Sequence, residues 1–402
     1  MRELSIYIHI PFCVRKCLYC DFLSFPVSGA ERREIGSYVN LLRQEIKSSA
    51  ADYRDHRVVS VFWGGGTPSL LSGEEMGEVM EVIRACFHMA EEAEITVEMN
   101  PGTVDDGKLL LYRKAGINRV SIGLQSADEG ELERIGRIHD YGTFLRTYES
   151  ARQAGFGNIN IDLMAALPGQ SVASYKRSLI SVAALLPEHI SAYSLILEEG
   201  TPLYERRGEY LFPTEEEDRQ MYLLTKNYLA SCGYHRYEIS NYAREGRECR
   251  HNKVYWQRGD YVGFGLGASS MVHNVRWSNP AGMEAYRLYV EGCMGRADRP
   301  MESMGAEYTE WADMGRAAGQ DRHALSVEEQ MEEYMFLGLR MMCGVGRQAF
   351  ARQFGRRIEE VYGLVMDKLC RQGLLIFEGD CIKLTDRGID VSNYAMAEFL
   401  LR

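Results

Sequence analysis

Six runs in the first half of the chain are short, apolar and rich in β-branched residues: Leu4–Ile10, Val58–Trp63, Ile95–Met99, Arg119–Leu124, Asn158–Met164 and His189–Leu195. Runs of this kind predict strands buried on both faces, as in a parallel sheet. Helical patterns lie between them. Ser72-Gly73-Glu74-Glu75 is a capping box for a helix that turns Val79, Val82, Ile83 and Cys86 inward. Thr103 with Asp106 opens the next helix and Gly116 closes it. Another runs from Thr143 to Ala154 and stops at Gly155, and a further one from Ser171 to Leu186 is stopped by Pro187. Strand–helix alternation with right-handed crossovers predicts a parallel α/β fold. Six units fall short of the eight that close a barrel, so the expectation is an open, partial (β/α)6 barrel.

After about residue 196 the alternation breaks. Thr214 and Glu217 cap a helix that runs to Gly233. Then come Tyr237–Tyr242, the stretch Cys249–Trp256 and the glycine-rich Gly263-Phe264-Gly265-Leu266-Gly267. Residues 296–325 read as a polar linker containing Pro300. Ser326 and Glu329 cap a helix through Met342, two more helices follow, and Leu374–Phe377 with Cys381–Leu384 form a hairpin around Glu378-Gly379-Asp380. Asp386–Leu401 reads as a last helix. Helices around a small hairpin predict a winged-helix-like C-terminal domain, fit to be a lid, a dimer contact or, less simply, a DNA binder. The expected organisation is a barrel over residues 1–235, an α+β extension packing on it over 236–300, and the winged-helix-like domain over 301–402.

Charge narrows the partners. Against 57 acidic residues stand 46 basic ones, a formal charge of −11, the wrong sign for broad nucleic-acid binding. The composition, 46% hydrophobic and 26% charged, suits a globular protein with a sizeable core. No apolar stretch reaches the roughly 20 residues a membrane helix needs, and no signal-peptide pattern opens the chain, so a cytoplasmic protein is expected. Of ten cysteines only Cys13, Cys17 and Cys20 cluster. In a reducing compartment the others read as buried thiols.

The clustered cysteines carry the chemistry. Cys13-x3-Cys17-x2-Cys20 places three thiolates on one short loop, enough for three irons of a [4Fe–4S] cluster and leaving the fourth without a protein ligand. Zinc asks for a fourth ligand, and no second cysteine pair supplies one. Gly64-Gly65-Gly66-Thr67-Pro68 follows the second strand. Such a run is either a tight turn or a cradle where backbone N–H groups approach a ligand. Glu98, Gln125 and Asp162 end the third, fourth and fifth strands, the end at which α/β barrels build active sites; each could instead cap a helix. Arg137 is either a carboxylate contact or a solvated surface arginine.

Together with Tyr7 and Tyr19, these motifs resemble the radical S-adenosylmethionine superfamily. The continuing pattern is similar to its coproporphyrinogen III oxidase–like branch: Glu98-Met99-Asn100-Pro101-Gly102-Thr103, Gly123-Leu124-Gln125-Ser126, Asp162-Leu163 and Leu167-Pro168-Gly169-Gln170. The resemblance covers nearly the whole chain. It implies that the amino and carboxylate groups of S-adenosylmethionine chelate the open iron. The nucleotide's contacts would be Tyr7, Tyr19, Gly65, Gly66, Thr67, Glu98, Gln125, Arg137, Asp162 and Ile196.

Two groups within the branch compete. The oxygen-independent oxidases carry a further cysteine two positions after the third, where this chain has Phe22, and an extension before the cluster, whereas this chain starts six residues before Tyr7. The HemW-type heme chaperones are similar in Cys20-Asp21-Phe22, in Tyr237–Ala243, in His251-Asn252-Lys253-Val254-Tyr255-Trp256 and in Gly338-Leu339-Arg340. Departures from the pattern are Ser269, where the chaperones have histidine, Ala165-Ala166 in place of Tyr-Gly, and Met99 in place of alanine.

His251 can be read from its chemistry as well. Imidazole is a common axial iron ligand, and Tyr255 and Trp256 offer flat faces to a porphyrin; a packed, hydrogen-bonded histidine is the plain alternative. Cys249 and Cys343 are weaker iron-ligand candidates. The expected function is a chaperone that binds heme and passes it to acceptor hemoproteins, respiratory ones among them. Cluster and nucleotide would gate transfer or homodimer formation. The alternative is an enzyme of porphyrin biosynthesis, an oxygen-independent coproporphyrinogen III oxidase or another radical S-adenosylmethionine catalyst.

Overall fold

The computed structural model describes residues 1–27, 32–297 and 321–401, so most of the expected linker over 296–325, Pro300 included, lies outside the described residues. All six expected strands form: β1 (Arg2–Ile10), β2 (His56–Gly65), β3 (His88–Met99), β4 (Arg119–Gln125), β5 (Ile159–Ala165) and β6 (His189–Ser194). They pair in parallel in chain order. Their apolar side chains are shut away on both faces; Ile6, Val61, Val97, Ile122, Ile161 and Ile190 are fully buried.

The helices between them are α1 (Arg32–Ser49), α2 (Gly73–Cys86), α3 (Asp106–Lys114), α4 (Glu129–Arg134), α5 (Tyr141–Gln153) and α6 (Val172–Ala184). Ser72 and Ser171 close capping boxes on α2 and α6. Two starts differ from expectation. Asp105, not Thr103, caps α3, its carboxylate accepting from Lys108 N at 2.8 Å, while Thr103 Oγ1 donates to Asn100 O at 2.6 Å. Asp140 caps α5 and starts it two residues before Thr143; a carboxylate is a strong N-cap.

The sheet continues past six strands. After α7 (Glu215–Ser231), β7 (His235–Arg236) and β8 (Asn241–Ala243) add antiparallel strands beyond β6. Helix α8 (Arg250–Trp256) leads to β9 (Tyr261–Phe264), which pairs in parallel with β1 at the opposite edge. The antiparallel β10 (Ser269–Val272), β11 (Val275–Ser278) and β12 (His323–Ala324) follow. The result is a twelve-stranded sheet among the described residues. One apolar core runs from Leu4 to Val290, on α9 (Met283–Ala297).

A second core, from Met331 to Phe399, is built by α10 (Val327–Gly338), α11 (Arg347–Phe354), α12 (Ile358–Arg371) and a small sheet of β13 (Val345–Gly346), β14 (Leu375–Glu378) and β15 (Cys381–Leu384). The expected last helix is broken into α13 (Asp386–Asp390) and α14 (Ser392–Ala397). Val391 leaves helical geometry at φ −118°, ψ 36°, and Gly388 sits so close to Leu374 that a Cβ there would lie 2.0 Å from its carbonyl. Helix α10 ends at Gly338, short of Met342, because Met341 bridges across to Glu238. Among the described residues no helix is long and apolar enough to cross a membrane.

Candidate functional site

The cysteine loop leaves the end of β1 and is stitched to the glycine turn after β2. Gly66 N donates to Ile10 O at 2.8 Å and Thr67 N to Phe12 O at 2.7 Å. A Cβ on Gly66 would stand 2.6 Å from Phe12 O and 3.0 Å from Cys13 Sγ, so only glycine permits this approach. Gly65 has φ +109°, and a Cβ there would strike the His9 ring at 2.6 Å. On its far side the loop is tied to the segment after α4 by Leu18 N to Ile135 O at 3.0 Å.

A cavity of about 390 Å³ opens at the carboxyl ends of the strands. Cys13, Cys17 and Cys20 line it together. So do Tyr19, Gly65, Gly66, Thr67, Glu98, Gln125, Arg137, Asp162 and Ile196, which leaves Tyr7 as the one expected nucleotide contact outside it. Thr67 Oγ1 donates to Cys13 Sγ at 3.5 Å and Arg137 Nη1 to Cys17 Sγ at 3.4 Å. Arg137 Nη2 also donates to Asn100 Oδ1 at 2.7 Å. Gln125 takes φ +72° at the end of β4, and its side-chain oxygen accepts from Tyr193 OH at 3.2 Å.

Electrostatics suit a cationic ligand. Burial, helped by the nearby Asp162 charge, pushes the Glu98 carboxyl up to about 8. Burial raises Asp162 as well, although Asn160 Nδ2 and Ser121 Oγ donate to it at 2.7 and 3.3 Å. A cation relieves two desolvated acids that share a cavity. The residues fit a three-thiolate cluster beside S-adenosylmethionine. Three free thiols face one space, two of their sulfurs already accept hydrogen bonds, and Arg137 keeps a buried Nε without a partner.

Asn100, Ser121 and Tyr193 line the same cavity and are absent from the expected set. Asn100 was legible as part of the Glu98–Thr103 motif; Tyr193 had no signal beyond ending a strand.

The 251–256 run forms α8 and divides its residues between two environments. His251 is 1% exposed. Its Nδ1 is 2.9 Å from Ser60 Oγ and its Nε2 is 2.9 Å from Tyr255 OH. Tyr255 lines a second cavity of about 410 Å³ with Tyr7, His9, Phe22, Tyr261 and Ser269. Trp256 instead packs with Tyr237, Cys249 and Met341, under the Arg340 guanidinium at 4.3 Å. Cys249 is buried and Cys343 exposed.

A cysteine loop over a cavity at the open end of a parallel barrel defines a class, and comparison agrees. The Radical SAM superfamily profile matches residues 7–179, and that of the HemN C-terminal domain matches residues 325–391. Among solved structures, coproporphyrinogen III oxidase (HemN) from Escherichia coli superposes with a TM-score of 0.80 at 22% identity, covering 99% of this chain and 90% of that one; this establishes the fold. Among curated proteins, the heme chaperone HemW of Bacillus subtilis (strain 168) is 34% identical over 399 residues, 98% of this chain and 99% of the relative. HemW of Escherichia coli (strain K12) is 41% identical over 272 residues, 68% of this chain and 71% of the relative. The chain belongs to the HemW heme-chaperone family.

Proposed function

We infer that the protein binds heme and delivers it to acceptor hemoproteins in the cytoplasm, respiratory ones among them. In this reading Cys13, Cys17 and Cys20 hold a [4Fe–4S] cluster, and S-adenosylmethionine fills the cavity beside them. The observation that carries the reading is Phe22. It stands where the oxidases have a further cysteine, the residue is 60% exposed, and it lines both the cysteine cavity and the aromatic one next to it. A thiol at this point would serve chemistry at the cluster; a phenyl ring serves a flat apolar ligand.

Such a cluster, when bound, supplies an open iron and one-electron redox chemistry. The chain's own residues then have separable tasks. Arg137 and Asn100 form a polar corner suited to a carboxylate. Glu98 and Asp162 offer acceptors to an ammonium and to ribose hydroxyls, and Gly65 and Gly66 let the nucleotide approach the backbone. Of the expected heme residues His251, Tyr255 and Trp256, it is Tyr255 that lines the aromatic cavity. The test is anaerobic reconstitution of the full chain, followed by heme titration and transfer to an apo-hemoprotein. A Soret band that moves to the acceptor is expected. Absence of heme uptake, or conversion of coproporphyrinogen III to protoporphyrinogen under reducing conditions, overturns the reading.

A further inference from the structure

The two cavities share a wall. Phe22, Gly65 and Glu98 line both, so a ligand in the second lies directly beside the cluster cavity. The second cavity is bounded by rings: Tyr7, Phe22, Tyr255 and Tyr261, with Tyr255 and Tyr261 meeting edge to face at 4.7 Å between centroids. Its volume, about 410 Å³, is within the range of small-ligand sites, and aromatic walls suit a flat, apolar π-system.

His251 does not line this chamber. It sits behind Tyr255, with one ring nitrogen on Ser60 Oγ and the other on Tyr255 OH, both at 2.9 Å. The Phe62 ring stacks on it at 5.0 Å with 22° between planes. A neutral imidazole donates through one nitrogen and accepts through the other, which matches its two hydroxyl partners. To reach a metal in the chamber, His251 would have to give up its bond to Tyr255 OH and emerge from burial past the Tyr255 ring.

We propose that the chamber walled by Tyr7, Phe22, Tyr255 and Tyr261 receives the face of the heme macrocycle, that Tyr255 is the residue of the 251–256 run that touches it, and that His251 is a positioning residue fixing Tyr255 from behind. The proposal rests on the heme-binding reading above and adds to it which residue meets the ligand and which does not. Glu98, common to both cavities, then places the macrocycle against the nucleotide.

The test titrates heme into the full-length, anaerobically reconstituted protein and four variants: Tyr255→Ala, Tyr255→Leu, Tyr255→Phe and His251→Gln. Circular dichroism and iron content verify fold and cluster in each. Tyr255→Ala and Tyr255→Leu should weaken heme binding at least tenfold, whereas Tyr255→Phe, which keeps the flat ring, should stay within about threefold of wild type. His251→Gln should lower affinity a few-fold while leaving the ferric Soret maximum and EPR g-values of the bound heme unchanged, because iron ligation is untouched. Wild-type-like binding by Tyr255→Leu, or altered g-values in His251→Gln, overturns the proposal. Failure of the wild-type protein to bind heme overturns instead the reading beneath it.

Discussion

Arg137 lies over the cysteine loop, its Nη1 donating to Cys17 Sγ at 3.4 Å while its Nη2 holds Asn100 Oδ1 at 2.7 Å. One guanidinium therefore serves a cysteine sulfur and the polar corner beside it. Arg137→Met removes a charge-assisted hydrogen bond, worth about 1.5–3 kcal/mol, so S-adenosylmethionine affinity should fall about tenfold to a hundredfold by calorimetry. With a cation gone from the thiolate, the cluster's potential in an EPR-monitored titration should move to more negative values. Arg137→Lys should restore most of the potential and little of the affinity, since lysine cannot supply the planar fork.

Gly66 is confined chiefly by backbone carbonyls, with the Cys13 sulfur beside them. A Cβ there meets Phe12 O at 2.6 Å and Cys13 Sγ at 3.0 Å, and a carbonyl inside a stitched turn cannot swing away. Gly66→Ala should leave far-UV circular dichroism unchanged and cut the iron bound per chain to less than half. Gly77, in α2 with open space where its Cβ would go, is the control: Gly77→Ala should raise stability by about 1 kcal/mol through helix propensity and leave the iron content alone.

Ala166 occupies φ +59°, at the position where the chaperone pattern has glycine. A non-glycine residue in the left-handed region costs about 1–2 kcal/mol. Glycine there gives back about 0.5–1 kcal/mol in chain entropy, so Ala166→Gly should raise unfolding free energy by roughly 1 kcal/mol in urea melts. No gain, or a loss, would show that the surrounding turn rather than the residue sets this conformation.

Glu45 on α1 is 1% exposed and accepts from Tyr286 OH at 2.6 Å, Gly265 N at 2.8 Å and Asn279 Nδ2 at 2.6 Å. Burial outweighs these donors and pushes its carboxyl from 4.5 up to about 7. Between those values the native state keeps a proton that the unfolded chain releases. The carboxyl's contribution to stability is therefore greatest below about 4.5, falls as pH rises to about 7 and is flat above. Melting temperatures across pH 5–8 should show wild type gaining on Glu45→Gln as pH is lowered. Parallel curves would remove Glu45 from the account.

The cluster loop and the barrel were legible in sequence because both are local signals. Three cysteines within eight residues and six apolar runs at regular spacing need no knowledge of what lies across the fold. Glu98, Gln125 and Asp162 converge as expected because strand ends of a parallel sheet share one rim. What depends on distant pairing was hidden. Nothing near Tyr261 announces that β9 lies parallel to β1, and that pairing, Tyr7 opposite Gly263, is what brings α8 and Tyr255 beside Tyr7. The motif His251–Trp256 was likewise readable as residue types only. Its three chemical residues go to three places: one buried behind a wall, one in the wall, and one at the contact with the C-terminal unit.

That contact turns on a charge. Glu333 of α10 is 6% exposed and takes Arg258 Nε at 3.0 Å and Arg276 Nη1 at 2.9 Å. The two arginines are not equivalent: the Arg258 side chain is 2% exposed and that of Arg276 41%. Removing the partner of a buried charge costs about 3–5 kcal/mol, whereas an exposed pair is worth about 1 kcal/mol or less. Glu333→Ala should therefore loosen the C-terminal unit from the sheet, seen as faster amide exchange across α10 and β11 and a larger radius of gyration in solution scattering. Arg276→Ala should change neither by much. If Glu333→Ala leaves both unchanged, the units are held by their other contacts, the apolar cluster of Tyr237, Cys249, Met341 and the adjoining Trp256 together with the pairs Arg219–Asp390 and Lys226–Asp386. Arg340→Ala, which strips the guanidinium from over Trp256, then becomes the variant expected to release them.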